Sequence, residues 1–292
     1  MLSINPKDTA TQKLYGLMAG SVGPRPIAFA STVNENGEAN LSPFSFFNMM
    51  SANPPILVFS PLLKISDSSS KHTLQNAETT KEVVINIVNY DIVQQMSLSS
   101  TAYAEGVNEF EKAGLTMQES ELVKPFRVKE SPIQFECKVT QIVKLGEEGG
   151  AGNMVVCEVV KMHIAEDVLD EDQKIDQFKL DQVARMGGNL YSRANQGIFE
   201  IPKPISSMGM GVDQLPEDIK TSSILTGNDL GKLATLESVP SESEVKEFIE
   251  ENKLKEYVSE SSSEKIHAIA QEYLKKEEVL NAWKILLAKS KN

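Results

Sequence analysis

The chain is poor in the side chains that most often carry chemistry by themselves. It has two cysteines, Cys137 and Cys157, and three histidines, His72, His163 and His267, in 292 residues. Both cysteines lie in strand-like runs, FECKVTQIV and MVVCEVV, so two buried reduced thiols are expected. Neither falls in a zinc-ligand pattern, and no metal site is expected. Positive charge is also scarce: 29 Lys and Arg stand against 41 Asp and Glu, a net −12. Nucleic acid and anionic membranes, which need basic patches to replace counterions, are therefore excluded as partners. No run approaches the ~18 apolar residues of a membrane span. The N-terminus, MLSINPKDTATQKLYG, has neither a basic start nor an apolar run, so no signal peptide is expected. A soluble cytoplasmic protein follows. Dinucleotide and P-loop glycine motifs, a nucleophile elbow and a nucleophile–base pair are all missing. No catalytic side chain is assigned, and any hard chemistry would belong to a bound cofactor.

What is present is a set of strands joined in hairpins. PIAFASTV (26–33) reads as a strand, NENG (34–37) as a hairpin turn and EANLSPFSFF as the return. ILVFS (56–60) and VVINIV (83–88) are buried strands, and residues 132–146 and 153–167 form a long hairpin across the flexible turn EEGGAG. Short helices are expected from Thr73, from Asn89 or Asp91 to Met96, and over 108–115 ending at Gly114. Hairpins with inserted helices predict a mainly-β fold, an antiparallel barrel, rather than a βαβ sheet. Residues 205–240 read as an irregular strap. Residues 241–292 read as a helical extension, with a capping box at Ser261 and Glu264 and an apolar stripe through Ile266, Tyr273 and Trp283 that serves packing.

The stretch NLSPFSFFNMMSANPP, Asn40 to Pro55, is too polar for a plain core strand and too aromatic for a plain loop. Three polar features lie next to buried strands. Ser31 and Thr32 face Asn40, Leu41 and Ser42 across the hairpin, and could bind a flat ring or serve only the turn. SDSSSKHT (66–73) places hydroxyls and Lys71 at a helix N-terminus, which suits a phosphate or an ordinary capped helix. ARMGGNLYSR (184–193) has paired glycines between Arg185 and Arg193, and fits a close backbone approach or a charged turn. A cofactor that joins an apolar ring to a phosphate, as FMN does, fits the first two features together.

These residues resemble the flavin reductase-like FMN-binding split-barrel family, which includes flavoredoxin and the small reductase components of two-component monooxygenases. The family pattern R-P-x-x-x-x-S-T, G-x-x-N-x-A/S-P-x-S-x-F and P-P appears as Arg25-Pro26, Ser31-Thr32, Gly37, Asn40, Ser42-Pro43, Ser45, Phe47 and Pro54-Pro55. The K-D-T-x-x-N motif appears as Lys71-His72-Thr73-Leu74-Gln75-Asn76, with His72 in the place of the usual aspartate, and RMGGNLYSR resembles the late motif. The resemblance implies a six-stranded antiparallel split β-barrel over residues 1–204. It implies a homodimer with FMN near the subunit interface. Ser31, Thr32, Asn40, Leu41 and Ser42 would line the FMN, with Phe46 near the ring or the dimer seam. Ser70, Lys71 and Thr73 would hold the phosphate, and Arg185, Asn189 and Tyr191 would close the site. His163 would lie near the nicotinamide. The implied activity is an NAD(P)H-dependent flavin reductase serving an oxygenase or electron-transfer partner. The alternatives are a flavoredoxin-like FMN electron carrier with protein redox partners and a non-catalytic FMN binder.

Overall fold

The computed structural model describes residues 1–104, 106–201 and 208–289. They form two compact units, one ending at Phe199 and the other beginning at Glu200. The expected domain boundary at residue 204 lies outside the described residues.

The first unit is built on strands. β1 (Ala28–Val33) and β2 (Ala39–Phe44) form the expected hairpin. In its turn Asn34 Oδ1 accepts the N–H groups of Asn36 and Glu38 at 3.0 and 2.9 Å. Gly37 takes φ +83, a left-handed conformation that disfavours side chains. β3 (Phe47–Ala52) and β4 (Pro55–Phe59) form a second hairpin, followed by β5 (Glu82–Ile87). β6 (Met117–Gln118) and β7 (Arg127–Val128) pair with each other. β8 (Ile133–Lys144) and β9 (Asn153–Ile164) make the long hairpin, and β10 (Val183–Arg185) and β11 (Tyr191–Arg193) a short one. The main sheet is antiparallel with seven strands in the order β2-β1-β5-β8-β9-β4-β3.

The expected count of six strands is therefore corrected to seven, and β3 is the addition. The last pair of the first hairpin is Ala28 with Phe44. Upstream of Ala28 stand Pro24 and Pro26, which have no ladder N–H, so β1 cannot extend and β2 loses its partner. The chain bends over Ser45 and Phe46 and restarts as β3 against β4. β2 and β3 are the two edges of the sheet, yet from Phe44 to Phe47 the chain reaches at most roughly 11 Å. The edges must meet there, so the sheet rolls into a barrel with its seam at Ser45–Phe46.

Inside the roll lie Phe44, Phe59, Val83, Ile85, Cys137 and Cys157, closed at one end by Leu74 and Ala77 of α2 (His72–Thr80). Burial pushes the Cys157 thiol up to about 12 and the Cys137 thiol well above its ordinary value, so both stay neutral and inert. Outside, Phe29 and Leu41 are covered by α3 (Val93–Leu98) and α4 (Glu109–Ala113) through Met96 and Phe110. α4 begins at the Asn108 cap and ends at Gly114 as expected. α3 has Ile92 at its N-cap without a side-chain bond, so neither Asn89 nor Asp91 caps it. α1 (Thr11–Ser21) precedes the barrel and α5 (Gln177–Leu180) follows it.

The second unit is helical: α6 (Glu217–Lys220), α7 (Gly227–Leu233), α8 (Glu242–Glu251), α9 (Lys255–Glu260), α10 (Ser263–Lys275) and α11 (Val279–Lys289). Its core joins Ile266, Leu274, Trp283 and Ile285 with Ile219 and Leu233 from the segment read as a strap. Trp283 Nε1–H donates to the Leu233 carbonyl at 2.9 Å. Capping boxes occur at Thr226/Asp229 and Ser241/Glu244. Ser261 instead follows the end of α9, its N–H donated to the Tyr257 carbonyl, and α10 starts one residue later than the expected box allows. Among the described residues no helix is long and apolar enough to cross a membrane.

Candidate functional site

Alternation along the first hairpin divides the residues singled out in sequence between two faces. Thr32 pairs with Asn40 and Ala30 with Ser42, and these side chains share the inner face with Phe44. Ser31 pairs with Leu41 on the outer face, under α3 and α4. On the inner face Asn40 Nδ2 donates to Thr73 Oγ1 at 2.8 Å and to Thr32 Oγ1 at 3.4 Å. Asn76 Nδ2 donates to Thr32 Oγ1 at 3.0 Å. Two strands and one helix are thus tied by three buried polar bonds. On the outer face the Ser31 Oγ is buried with no hydrogen-bond partner among the described residues. Ser42 is half-buried beside the network.

Thr73 lies inside the first turn of α2, and the cap position belongs to Lys71. Lys71 makes no side-chain capping bond, is half-buried, and sets its Nζ 5.2 Å from the centre of the Phe44 ring. No carboxylate pairs with it among the described residues. Burial holds its ammonium pKa below 10.5, with the like charge of Lys64 acting in the same direction. Ser70 Oγ accepts from Gln75 Nε2 at 2.8 Å, next to the backbone N–H groups that open the helix.

The far end of β2 borders a cleft of about 160 Å³, lined by Ile27, Pro43, Ser45, Met96, Arg185 and Tyr191. The Arg185 guanidinium stacks 4.5 Å from the Tyr191 ring centre and donates to the Gly188 carbonyl. The two arginines of the late motif have different roles. Arg193 forms an ion pair with Asp181 and lies over Tyr90, whereas Arg185 has no carboxylate partner among the described residues. Asn189 is exposed at the tip of the β10–β11 turn, outside the cleft lining. Phe46 is half-buried at the seam, 6.3 Å from the Tyr15 ring and 5.8 Å from the Arg25 guanidinium.

Three residues escaped the list made from sequence. Asn76 stood in a motif already quoted, and its bond to Thr32 is what a helical i+3 position from Thr73 delivers. Arg25 is buried. Its guanidinium donates to Met186 O at 3.0 Å and Ser45 Oγ at 3.4 Å, and its backbone exchanges bonds with Arg185 at 2.9 and 2.8 Å. It fastens the β10–β11 hairpin beside the cleft. Glu109 is a buried carboxylate that accepts the Leu41 N–H at 3.0 Å. Burial raises its pKa, partly offset by that bond. An acidic first helical turn ahead of an apolar face was the only signal for it. His163, expected near a nicotinamide, sits 2.8 Å from the buried Glu136 and 3.8 Å from Glu121.

From Asn40 to Ser45 is roughly 16 Å along an extended strand. Along this strand run a half-buried cation with amide donors on the inner face, Lys71 lying over Phe44, and an aromatic–guanidinium cleft at the outer-face residues Pro43 and Ser45. Such groups can hold a ligand, and its chemistry would come from that ligand. A larger cavity of about 430 Å³ lies in the second unit against Val245, Ile249, Val258 and Leu287. Its charged lining residues Glu242, Lys246, Glu250 and Lys255 are all exposed, so it lacks the buried polar groups that orient a ligand.

The family model described as "Flavin reductase like domain" matches residues 20–180, more than half of the chain. An uncharacterised protein of Aquifex aeolicus is 36% identical over 188 residues, covering 64% of this chain and 93% of that protein. The crystal structure of nitrilotriacetate monooxygenase component B from Bacillus cereus aligns with a TM-score of 0.65 at 32% identity, over 69% of this chain and 98% of that one. The 2-nitrobenzoate 2-nitroreductase of Pseudomonas fluorescens aligns with a TM-score of 0.62 at 28% identity, over 72% and 100%.

Proposed function

The chain belongs to the flavin reductase-like domain family, and on that premise we propose that it binds FMN and acts as an NAD(P)H-dependent flavin reductase in the cytoplasm. The observation that carries the reading is Lys71, a half-buried cation without a carboxylate partner among the described residues, set over Phe44 of the strand whose far end borders the Arg185–Tyr191 cleft. When bound, FMN supplies the hydride-accepting ring. Lys71 Nζ, Ser70, Thr73 and the N–H groups of the first turn of α2 hold the phosphate. Thr32, Asn40 and Ser42 line the middle of the ligand. Phe46, Arg185, Asn189 and Tyr191 serve the ring end, whereas Ser31 and Leu41 lie fully buried on the outer face beside Thr32 and Asn40. A homodimer with the flavin near its interface completes the site over residues 1–204. No side-chain acid or base is assigned, because hydride transfer asks only for orientation and exclusion of water. The likeness to a monooxygenase component supports an oxygenase as the consumer of the reduced flavin.

The test is anaerobic mixing of the FMN-loaded protein with NADH and then NADPH while flavin absorbance is followed. Rapid bleaching with either is expected. Bleaching only by a protein reductant would replace the reductase reading with a flavoredoxin-like carrier. A protein that takes up no FMN would overturn the proposal.

A further inference from the structure

The turn between β8 and β9, EEGGAG, looks like a slack connection in sequence, but it is fastened to another loop. Leu63 N–H donates to Ala151 O at 2.9 Å and Gly150 N–H returns to Leu63 O at 2.9 Å. Asn153 donates to Pro61 O from its backbone at 3.0 Å and from its side chain at 3.2 Å. Leu62 and Gly152 form an isolated antiparallel bridge. The tip of one hairpin thus extends a ladder onto residues 61–63. Those residues lead within one short loop to Ser70 and Lys71, and the loop closes on itself through Lys64 N–H to Ser69 O at 3.0 Å.

The contact has no room for a side chain. A Cβ on Gly149 would lie 2.8 Å from both the Lys64 and the Ile65 carbonyl oxygens and 2.9 Å from Ile65 Cα. All three are backbone atoms, so the loop itself would have to move. We infer that the glycine tip of the β8–β9 hairpin, through Gly149, is a positioning element for phosphate recognition: it fixes the 61–70 loop and thereby the placement of Ser70 and Lys71. The inference rests on the phosphate role given to Lys71 above. It adds that the selectivity for a phosphorylated flavin is set from a strand turn far from Lys71 in sequence.

FMN and riboflavin share the ring and ribityl chain and differ in the phosphate, so the ratio of their affinities isolates the loop. Both are titrated into the full-length protein by quenching of flavin fluorescence. In Gly149→Ala, FMN binding should weaken by about tenfold or more while riboflavin binding stays within about twofold. Glu147→Ala, at an exposed position of the same tip, should leave the ratio at the parental value. Asn153→Ala removes one bond to Pro61 and keeps the ladder, so it should lower the ratio by about threefold and decides the matter if Gly149→Ala does not fold. A parental ratio in the folded Gly149→Ala protein, or equal loss of both ligands, overturns the inference alone. A parent protein that does not prefer FMN over riboflavin overturns the phosphate assignment of Lys71 and this inference with it.

Discussion

Lys71 is held where its charge is penalised, and that gives a pH signature. Burial lowers its pKa in the folded protein below the 10.5 of an exposed lysine. Between the folded value and 10.5 the unfolded chain binds more protons than the folded one, so ligand-free stability from this group rises with pH. FMN affinity should fall over the same window, because the cation that receives the phosphate is lost. Thermal melts and FMN titrations from pH 8 upward check both signs, and Lys71→Met should flatten both curves. Glu109 has the opposite character. Its pKa is raised by burial, so folding favours its protonated form and its contribution to stability declines as pH rises from the ordinary 4.5 of a glutamate through the folded value. Glu109→Gln keeps an acceptor for the Leu41 N–H and should melt at or above the parental temperature. Glu109→Ala should lose about 1–3 kcal/mol in denaturant titrations, because it leaves that donor unmet. Residue types such as Lys71, Arg185 and Thr32 stood out in sequence because they are polar groups beside apolar runs. Glu109 did not, since its partner is a backbone group on another element.

At the scale of elements, the hairpins were legible and the ends were not. NENG, the two long strands and the Asn108–Gly114 helix follow local rules of turn and cap chemistry. β3 was hidden because its start depends on β1 running out of partners at Ala28, and α1 because it buries only Ala19 and shows little apolar periodicity. The free edge of β2 is also guarded. Leu41 turns its N–H to Glu109, and Pro43 offers none. Inside the barrel Phe44 and Phe59 pack 5.4 Å apart between a strand at one edge and a strand beside the other. Phe59 is fully buried, so Phe59→Ala should destabilise the first unit by about 3–5 kcal/mol, measured by chemical denaturation.

Among the described residues no buried apolar cluster draws on both units: one belongs to the second and the others to the first. Two units with their own cores predict two unfolding transitions rather than one. Bound FMN should raise only the transition of the first unit, by mass action. Denaturant titration with and without FMN checks this, and a single transition shifted as a whole would refute it. The mainly-β antiparallel fold could be read from the first two-thirds of the sequence, where motif order is dense, and the candidate site was proposed from the same stretch. The second unit could be read only as helices, since its packing is set by distant contacts such as Trp283 with Leu233.

Trp283 is the chain's only tryptophan and it is fully buried among helices of the second unit. Excited at the red edge of protein absorption, its emission reports on those helices, while a flavin, with its own visible colour, would report on the barrel. The two halves can therefore be watched at two wavelengths in one cuvette, without any label.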